Sequence, residues 1–261
     1  MRINWKKITI IALDLVLAAY LLLAFTSFNK PRGAEELCTK VSIHIEDETT
    51  DGFLKPEEIK KRLLDNNIYP LSKPMRSINS RQVESMLKRS PFVKTAECYK
   101  TQNHEVRILL TQRMPVVRIK SDSGEDYYVD DHNCIMPNSS FTSDIIIATG
   151  HISKTFAQQS ISELCKALSA NDLWRNQIEQ INVLPDNGIE LIPRVGDHAI
   201  YIGTLPKHRD ISKHEAAIRD YVNTKMDRLE KFYRYGLSQA GWNKYKYINL
   251  EFDNQIICKR R

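Results

Sequence analysis

The chain has 261 residues, of which 42% are hydrophobic and 27% are charged, a composition typical of a globular protein and not of a disordered one. Its net charge of +6 comes from Lys and Arg residues that are spread along the chain without a dense basic block, so nucleic acid is not expected as a partner. The five cysteines are widely spaced and form no CxxC pair, which argues against a zinc ribbon or a thioredoxin-like site. If the bulk of the chain is exported, one disulfide is possible, and the odd number of cysteines leaves at least one free thiol.

Residues 8–28 form a long apolar run in a chain that is otherwise polar and patterned like a globular protein. A helix over this run would be roughly 30 Å long, the thickness of the hydrocarbon core of a bilayer. The run predicts a single N-terminal transmembrane helix, because its large apolar residues outweigh the one internal charge, Asp14. Asp14 either faces a partner helix or is tolerated in lipid, and the sequence leaves both interpretations open.

The alternative for this segment is a cleaved signal peptide, which would have a shorter apolar region and a small-x-small cleavage site. The run has no Ala-x-Ala pattern at its end, so a retained anchor is favoured. Arg2, Lys6 and Lys7 precede the run, which places residues 1–7 in the cytoplasm by the positive-inside rule. The bulk of the chain is then expected on the other side of the membrane, after a linker at 29–37.

Residues 38–112 carry the pattern of a small α+β domain. Alternating apolar and polar residues predict a strand at 41–46. Proline in the first turn and an apolar stripe predict a helix that begins at Pro56 and stops near Asn66. Further elements are predicted in chain order as a helix at 80–90 and strands at 92–99 and 105–112. The order β-α-α-β-β predicts helices laid on one face of a small sheet.

Residues 113–261 predict a mixed, β-rich domain with one long helix. A shorter helix is predicted at 155–170 from the spacing of its apolar residues. Ser212 and Glu215 form a capping-box pattern for the long helix, and Gly236 would end it. Strands separated by turn residues are predicted at 116–120, 127–129, 144–149, 178–184, 188–193, 199–203, 245–252 and 255–259.

The densest cluster of reactive side chains is the run from Asp130 to Cys134, with Asp131, His132 and Asn133 between them. Neighbouring residues of a strand point to opposite faces, so these side chains would converge poorly on a metal or a substrate. A polar turn between two strands is the favoured interpretation. The chain has no GxSxG, HExxH, Walker or GxGxxG motif, and the sequence therefore predicts no catalytic residue, no metal site, no cofactor and no small-molecule substrate.

Four stretches of the chain resemble one known family, in that family's order along the sequence. They are SPFVKTAECYK at 90–100, QRMPVVRI at 112–119, YYVDDHNCIMP at 127–137 and YINLEFDNQII at 247–257. Together with the anchor and the β-α-α-β-β order, they resemble a POTRA domain followed by a β domain, the arrangement of the FtsQ/DivIB family of bacterial cell-division proteins.

The resemblance implies a non-enzymatic scaffold of the bacterial division complex, held by one helix in the inner membrane with its bulk in the periplasm. It implies FtsB-type and FtsL-type membrane coiled-coil proteins as partners, with septal peptidoglycan synthesis proteins as a further class. It also implies that the FtsB-type partner binds by adding a strand to the last strands of the β domain.

The last two predicted strands support this mechanism independently, because an edge strand offers unpaired N–H and C=O groups to an incoming strand. Alternation along 245–252 would place Ile248, Leu250 and Phe252 on one face, and the terminal strand at 255–259 would follow. The residues predicted to bind the partner are Tyr247, Ile248, Leu250, Glu251, Phe252, Asn254, Gln255, Ile256 and Ile257.

The match to the family motif centres this interface on Glu251, Phe252, Asn254 and Gln255. Family members often have a basic residue where Glu251 stands, so the resemblance leaves a charge-dependent contact there open. A packed final hairpin without any partner is the competing interpretation of the same residues.

Two other functions fit parts of the sequence. POTRA domains also serve in outer-membrane protein assembly and in translocation. A membrane-anchored cell-wall hydrolase would in turn require Asp131, His132 and Cys134 as reactive groups. Alanine at these three positions separates a hydrolase from a scaffold, since only the enzyme would lose function without losing stability.

Overall fold

The computed structural model describes residues 5–24, 36–46, 52–139 and 145–261. Several predicted segments extend beyond these ranges. The parts that lie outside the described residues are 1–4 of the cytoplasmic segment, 25–28 of the apolar run, 29–35 of the linker, 47–51 of the domain predicted at 38–112, and 140–144 of the domain predicted at 113–261, which includes Asp144 of a predicted strand.

The first helix, α1 (Trp5–Leu23), covers most of the apolar run. Over the described part of the chain, no helix is both long enough and apolar enough to cross a membrane. The predicted transmembrane helix at 8–28 is therefore not found among the described residues, which in this segment end at residue 24.

Residues 38–112 are called the N-terminal domain here, and they contain a three-stranded sheet in the order β1-β3-β2. The central strand β3 is parallel to β1 and antiparallel to β2. This arrangement confirms the predicted β-α-α-β-β order. Its elements are β1 (Lys40–Ile45), α2 (Pro56–Asp65), α3 (Ser80–Leu87), β2 (Val93–Lys100) and β3 (Glu105–Gln112).

Local signals set the ends of the two helices in this domain. Pro56 lies in the first turn of α2, where its missing N–H costs no hydrogen bond. Asn79 caps α3, because its side chain accepts a hydrogen bond from the Gln82 N–H at 3.2 Å. Both helices bury their apolar side chains against the sheet, in a core that includes Ile59, Leu63, Val83, Leu87, Val106, Ile108 and Leu110.

Residues 113–261 are called the C-terminal domain, and they contain a nine-stranded sheet in the order β12-β11-β10-β9-β8-β7-β4-β5-β6. Three pairs of neighbours are parallel (β4 with β7, β7 with β8, and β10 with β11), and the others are antiparallel. The strands are β4 (Pro115–Ser121), β5 (Asp126–Asp130), β6 (Ile135–Pro137), β7 (Ile146–Gly150), β8 (Ile178–Val183), β9 (Gly188–Pro193), β10 (Ala199–Thr204), β11 (Tyr245–Asn249) and β12 (Ile257–Arg260).

In the described part of the C-terminal domain, the helices form two continuous runs and one separate short helix that precedes β8. The first run, predicted at 155–170, comprises α4 (Lys154–Phe156), a π-helical turn and α5 (Ser162–Ser169). The short α6 (Asp172–Gln177) was not predicted. The second run comprises α7 (Ile211–Phe232), a π-helical turn (Tyr233–Leu237) and α8 (Ser238–Ala240).

Two corrections concern the ends of the long helix. Its N-cap is Asp210, whose carboxylate accepts a hydrogen bond from the Lys213 N–H at 3.0 Å, so the helix begins before Ser212. Gly236 lies inside the helical run, which ends at Gly241 with a φ of +94°. A positive φ is what glycine permits at a helix end, so the right residue type was chosen at the wrong position.

Helices α5 and α7 cover one face of the nine-stranded sheet. Their apolar stripes share one buried core with the inward residues of the strands, including Leu164, Ile218, Leu229, Ala148, Ile181, Ile200 and Ile248. On the opposite face the side chains are half-buried and largely polar, as shown by Thr149, Asn182 and Tyr201. The sheet therefore has one covered face and one open face, as antiparallel and mixed sheets permit.

Arg113 connects the two domains. Its backbone N–H donates to the Phe92 carbonyl at 2.9 Å, and its Nη1 donates to the buried Asp130 Oδ2 at 2.8 Å. Phe53 lies between Phe92 and Tyr128, with ring centroids 5.4 Å from each. The hydrogen bond from Arg113 to Phe92 and the aromatic contact of Phe53 with Tyr128 thus join the two domains, and the ion pair with Asp130 holds Arg113 against the end of β5.

A buried histidine lies beside the second helical run. His198 Nε2 and the Tyr233 hydroxyl share a hydrogen bond of 2.8 Å, while Nδ1 has no hydrogen-bond partner among the described residues. Tyr233 also packs against Trp174 and Trp242, with ring centroids 5.9 and 5.1 Å away. Burial lowers the pKa of His198 below its ordinary value, so the ring is neutral in the folded protein at neutral pH.

The neutral His198 makes the stability of the protein depend on pH. Because the pKa of His198 is lower when folded than when unfolded, the unfolded chain binds a proton first as the pH falls through about 6.5. We expect stability to fall between about pH 7.5 and 5.5, by at most about 1.4 kcal/mol per pH unit from this group. His198→Gln retains a donor for Tyr233 and should show a smaller fall in thermal unfolding experiments; an equal fall in both proteins would contradict this assignment.

Candidate functional site

The nine-stranded sheet ends at β12, which pairs only with β11 among the described residues. Strand β11 is parallel to β10 on one side and antiparallel to β12 on the other. The register places Ile248 opposite Cys258 and Asn249 opposite Ile257. Thus β12 is an edge strand, and no other described segment of the chain caps it.

Two backbone hydrogen bonds identify which groups of β12 point outward. The Leu250 N–H donates to the Tyr201 carbonyl at 2.8 Å, and the Arg261 N–H donates to the Lys244 carbonyl at 3.3 Å. Since alternate residues of a strand direct their N–H and C=O groups to opposite sides, β12 bonds to β11 through its odd-numbered residues. The outward groups belong to the even-numbered residues Cys258 and Arg260, and to Ile256 just before the strand.

The side chains of this hairpin divide between the two faces of the sheet. Ile248 and Leu250 are fully buried, and Cys258 packs partly against the same core. Tyr247 lies on the open face and stacks on Tyr201, with ring centroids 6.3 Å apart and planes inclined by 21°. Burial, with nearby acidic groups, raises the pKa of Tyr247 to about 12, so this hydroxyl stays protonated and able to donate.

The structure corrects the strand positions of three residues predicted for the site, Phe252, Gln255 and Ile256. Strand β11 ends at Asn249, whose side chain accepts a hydrogen bond from the Glu251 N–H at 2.7 Å and turns the chain. Phe252 therefore leaves the predicted apolar face, and 46% of its surface is exposed. Gln255 and Ile256 precede β12, which begins at Ile257. The remaining predicted residue, Asn254, is exposed in the same loop.

Two cations from α7 hold the loop between β11 and β12. Lys225 Nζ donates to the Glu251 carbonyl at 2.7 Å and lies 3.2 Å from the Asp253 carboxylate. Arg228 Nη2 donates to the Gln255 carbonyl at 2.7 Å. The Lys225 side chain is only 2% exposed, whereas the Asp253 side chain is 87% exposed, so solvent screens the ion pair and the Glu251 carbonyl makes the shorter contact.

The contacts of Lys225 and Arg228 with the loop are called the clamp here. The clamp was not predicted, although the position of Lys225 in the sequence is a signal for it. Lys225 falls between Val222 and Leu229 on the buried stripe of α7, where a charged side chain needs a partner. The partners of Lys225 are the Glu251 backbone carbonyl and the Asp253 carboxylate, both in a loop that is distant in sequence, and no helical periodicity predicts such a contact. The clamp fixes where the loop ends and where β12 begins.

The clamp predicts the effect of Lys225→Met, which keeps the aliphatic volume and removes the donors. We expect faster hydrogen exchange of the 250–256 amides and a stability loss of about 1–3 kcal/mol, because the Glu251 carbonyl loses its charged partner. Lys213→Met, on the exposed side of the first turn of α7, is the matched control and should change neither. Unchanged exchange in Lys225→Met would show that the loop does not depend on this lysine.

The Asp130–Cys134 run forms a turn, as the sequence indicated. Carboxylate and imidazole atoms of Asp130, Asp131 and His132 lie within 4.8 Å of one another. However, Asp130 Oδ1 accepts hydrogen bonds from the His132 and Cys134 N–H groups, at 3.0 and 2.7 Å. Its Oδ2 is bound by Arg113. The buried carboxylate of the trio is thus engaged by the protein, and its geometry serves the turn and the domain junction.

Comparisons with known families match both halves of the chain. Residues 36–111 match a family described as POTRA-like domain. Residues 114–259 match a family described as FtsQ/DivIB, C-terminal related. No curated protein matches the chain.

Proposed function

The chain belongs to the FtsQ/DivIB family, and we propose that it is a scaffold of the bacterial division complex that binds FtsB-type and FtsL-type partners at the β12 edge. FtsQ/DivIB and POTRA-like families are non-enzymatic scaffolds, and the family implies protein partners from the division complex. In this proposal the scaffold links early and late division proteins during septum formation, with septal peptidoglycan synthesis proteins as a further class of partner.

The observation that carries the proposal is the open edge of β12. The outward N–H and C=O groups of Cys258 and Arg260 are available to an extended segment of a partner, which would add the next strand of the sheet. Main-chain bonds of this kind supply affinity, while neighbouring side chains supply specificity. Ile257, which is 47% exposed on the open face, offers the incoming strand an apolar contact beside Tyr247.

The loop held by α7 supports the same surface. Glu251, Phe252, Asn254 and Gln255 are all exposed next to the start of β12. Their backbone is fixed by Lys225 and Arg228, so a partner would meet an ordered loop and would lose less conformational entropy on binding. We propose these four residues as the flank of the partner site.

The strand-addition proposal predicts the effect of Cys258→Pro. Proline removes an outward N–H of the edge strand without removing a hydrogen bond to β11, so partner binding should be lost while the fold is retained. The measurement is co-purification of small coiled-coil membrane proteins from gently solubilised membranes, with thermal unfolding of the same variant.

The control for this experiment is Cys258→Val, which keeps the N–H and the half-buried apolar contact. It should bind as the unsubstituted protein does. Undiminished co-purification with a folded Cys258→Pro variant would refute strand addition at this edge.

We also propose that α1 attaches the scaffold to the inner membrane at the division site. Every side chain from Ile10 to Leu23 is exposed, including a series of Leu, Ile and Val residues on all sides of the helix. Such a surface is stable in contact with lipid or with other apolar helices and unfavourable in water. On this proposal residues 8–28 are the anchor, 1–7 are cytoplasmic, and the domains at 38–112 and 113–261 lie in the periplasm.

The anchor proposal predicts that a chain without residues 1–35 leaves the membrane. We expect the shortened chain in the soluble fraction after alkaline carbonate extraction of cell membranes, and the full chain in the pellet. Asp14→Asn, which removes the one charge of the apolar run, should remain in the pellet. Retention of the shortened chain after carbonate treatment would place the membrane attachment elsewhere.

A further inference from the structure

The outer end of the β12 hairpin is strongly basic. Lys259, Arg260 and Arg261 follow one another along the edge, and Lys244 and Lys246 stand beside them at the start of β11. All five side chains are exposed. The sequence has another run of three basic residues at 60–62, in α2. The run at 259–261 differs because the hairpin places it beside the start of β11, where two further lysines lie.

Most of this charge has no counter-ion within the protein. Arg261 is paired with the Asp197 carboxylate. Within the described ranges, no carboxylate lies at ion-pair distance from Lys244, Lys246, Lys259 or Arg260. Like charges this close destabilise an isolated hairpin and favour an acidic partner.

The other half of the same edge is apolar. Ile257 lies on the open face and Cys258 on the face of the core, next to the buried Ile248. A strand placed beside β12 would therefore meet two apolar side chains followed by two basic ones. Each pair contains one residue on each face of the sheet, because successive side chains alternate.

We infer that the partner segment is an acidic strand that adds antiparallel to β12, with two acidic residues opposite Arg260 and Lys259 followed by two apolar residues opposite Cys258 and Ile257. This inference rests on the proposed strand addition and specifies the chemistry of the strand that is added. The antiparallel direction continues the pairing of β12 with β11 and is the more stable of the two for each residue paired.

The placement of the charges favours a strand over an anionic lipid surface. Lys259 projects to the open face and Arg260 to the face of the core, so a flat surface would approach one of them and not the other. An added strand alternates in the same way and can place one carboxylate beside each. The unpaired backbone groups of Cys258 and Arg260 would also remain unpaired against lipid.

The test measures binding of an extended peptide containing Glu-Glu-Ile-Val to the full chain by titration calorimetry. The variant Lys259→Glu with Arg260→Glu should weaken binding by about tenfold or more, the range expected for two close charge pairs. A peptide containing Lys-Lys-Ile-Val should bind more tightly to the charge-reversed variant than to the unsubstituted protein. Lys60→Glu with Lys61→Glu changes the net charge equally on the exposed side of α2 and should leave both affinities unchanged.

The order of the peptide tests the direction of the added strand. A peptide of the same composition in the order Val-Ile-Glu-Glu places its charges opposite the apolar half of β12 and should bind about tenfold more weakly. Equal affinity for the two orders would overturn the antiparallel arrangement. No detectable binding of the Glu-Glu-Ile-Val peptide would overturn the inference as a whole.

The outcomes separate this inference from the proposed function. Binding that survives the charge reversal but is lost in Cys258→Pro would overturn the acidic strand and leave strand addition standing. Binding that is unchanged by the charge reversal and by Cys258→Pro would overturn both the acidic strand and strand addition at β12. Loss of binding to phosphatidylglycerol vesicles on charge reversal, with unchanged peptide affinity, would show that the basic end of the hairpin meets lipid instead.

Discussion

The buried ammonium of Lys225 is the interaction on which the candidate site depends. A charge with 2% exposure is stable in a domain core only when its donors are satisfied, and here the Glu251 carbonyl and the Asp253 carboxylate accept from it. Because α7 is anchored in the core by Val222 and Leu229, the loop it holds is fixed relative to the whole sheet. The loop in turn determines that β12 starts at Ile257 and runs along β11 as the outermost strand.

The topology of the sheet explains why this edge is open. Strands β10 and β11 are adjacent and parallel, so the chain must return from the C-terminal end of β10 to the level of its N-terminal end before β11 begins. Helix α7 makes this return across the covered face of the sheet. Strands β11 and β12 then form the last two strands on that side of the sheet, and no described segment pairs with the outward N–H and C=O groups of β12. Natural proteins often protect such an edge with charge, and the basic residues from Lys259 to Arg261 have that effect against self-association. In the strand addition that we propose, the same charges would attract a partner of opposite sign.

The periodicity of apolar residues predicts the elements that are long and regular. Elements whose position depends on tertiary contacts are not predicted by sequence patterns. Strand β3, strand β9 and the stripe of α7 follow their apolar spacing closely, so they could be read from the sequence. Strand β6 and helix α6 are too short for a periodic signal. The regular alternation of apolar and polar residues along 245–252 predicts a buried face for Phe252. However, the Asn249 side chain accepts a hydrogen bond from the Glu251 N–H and ends the strand before Phe252. The sequence therefore predicted the final hairpin and placed the end of its first strand too late, at residue 252 instead of Asn249.

The residues that match the family motif are mostly structural, and this bears on which residues could select a partner. Residues 247–257 carry the resemblance to the family, but most of them build the hairpin: Ile248 and Leu250 fill the core, and Asn249 turns the chain. An edge strand binds through backbone groups that every sequence possesses, so it cannot distinguish partners by itself. In the proposed interface, discrimination would come from the side chains that flank the paired backbone. Lys259 and Arg260, beyond the matching stretch, are charges there that have no ion-pair partner among the described residues. A shared hairpin with different flanking charges would let members of one family keep the same mode of binding and accept different partners.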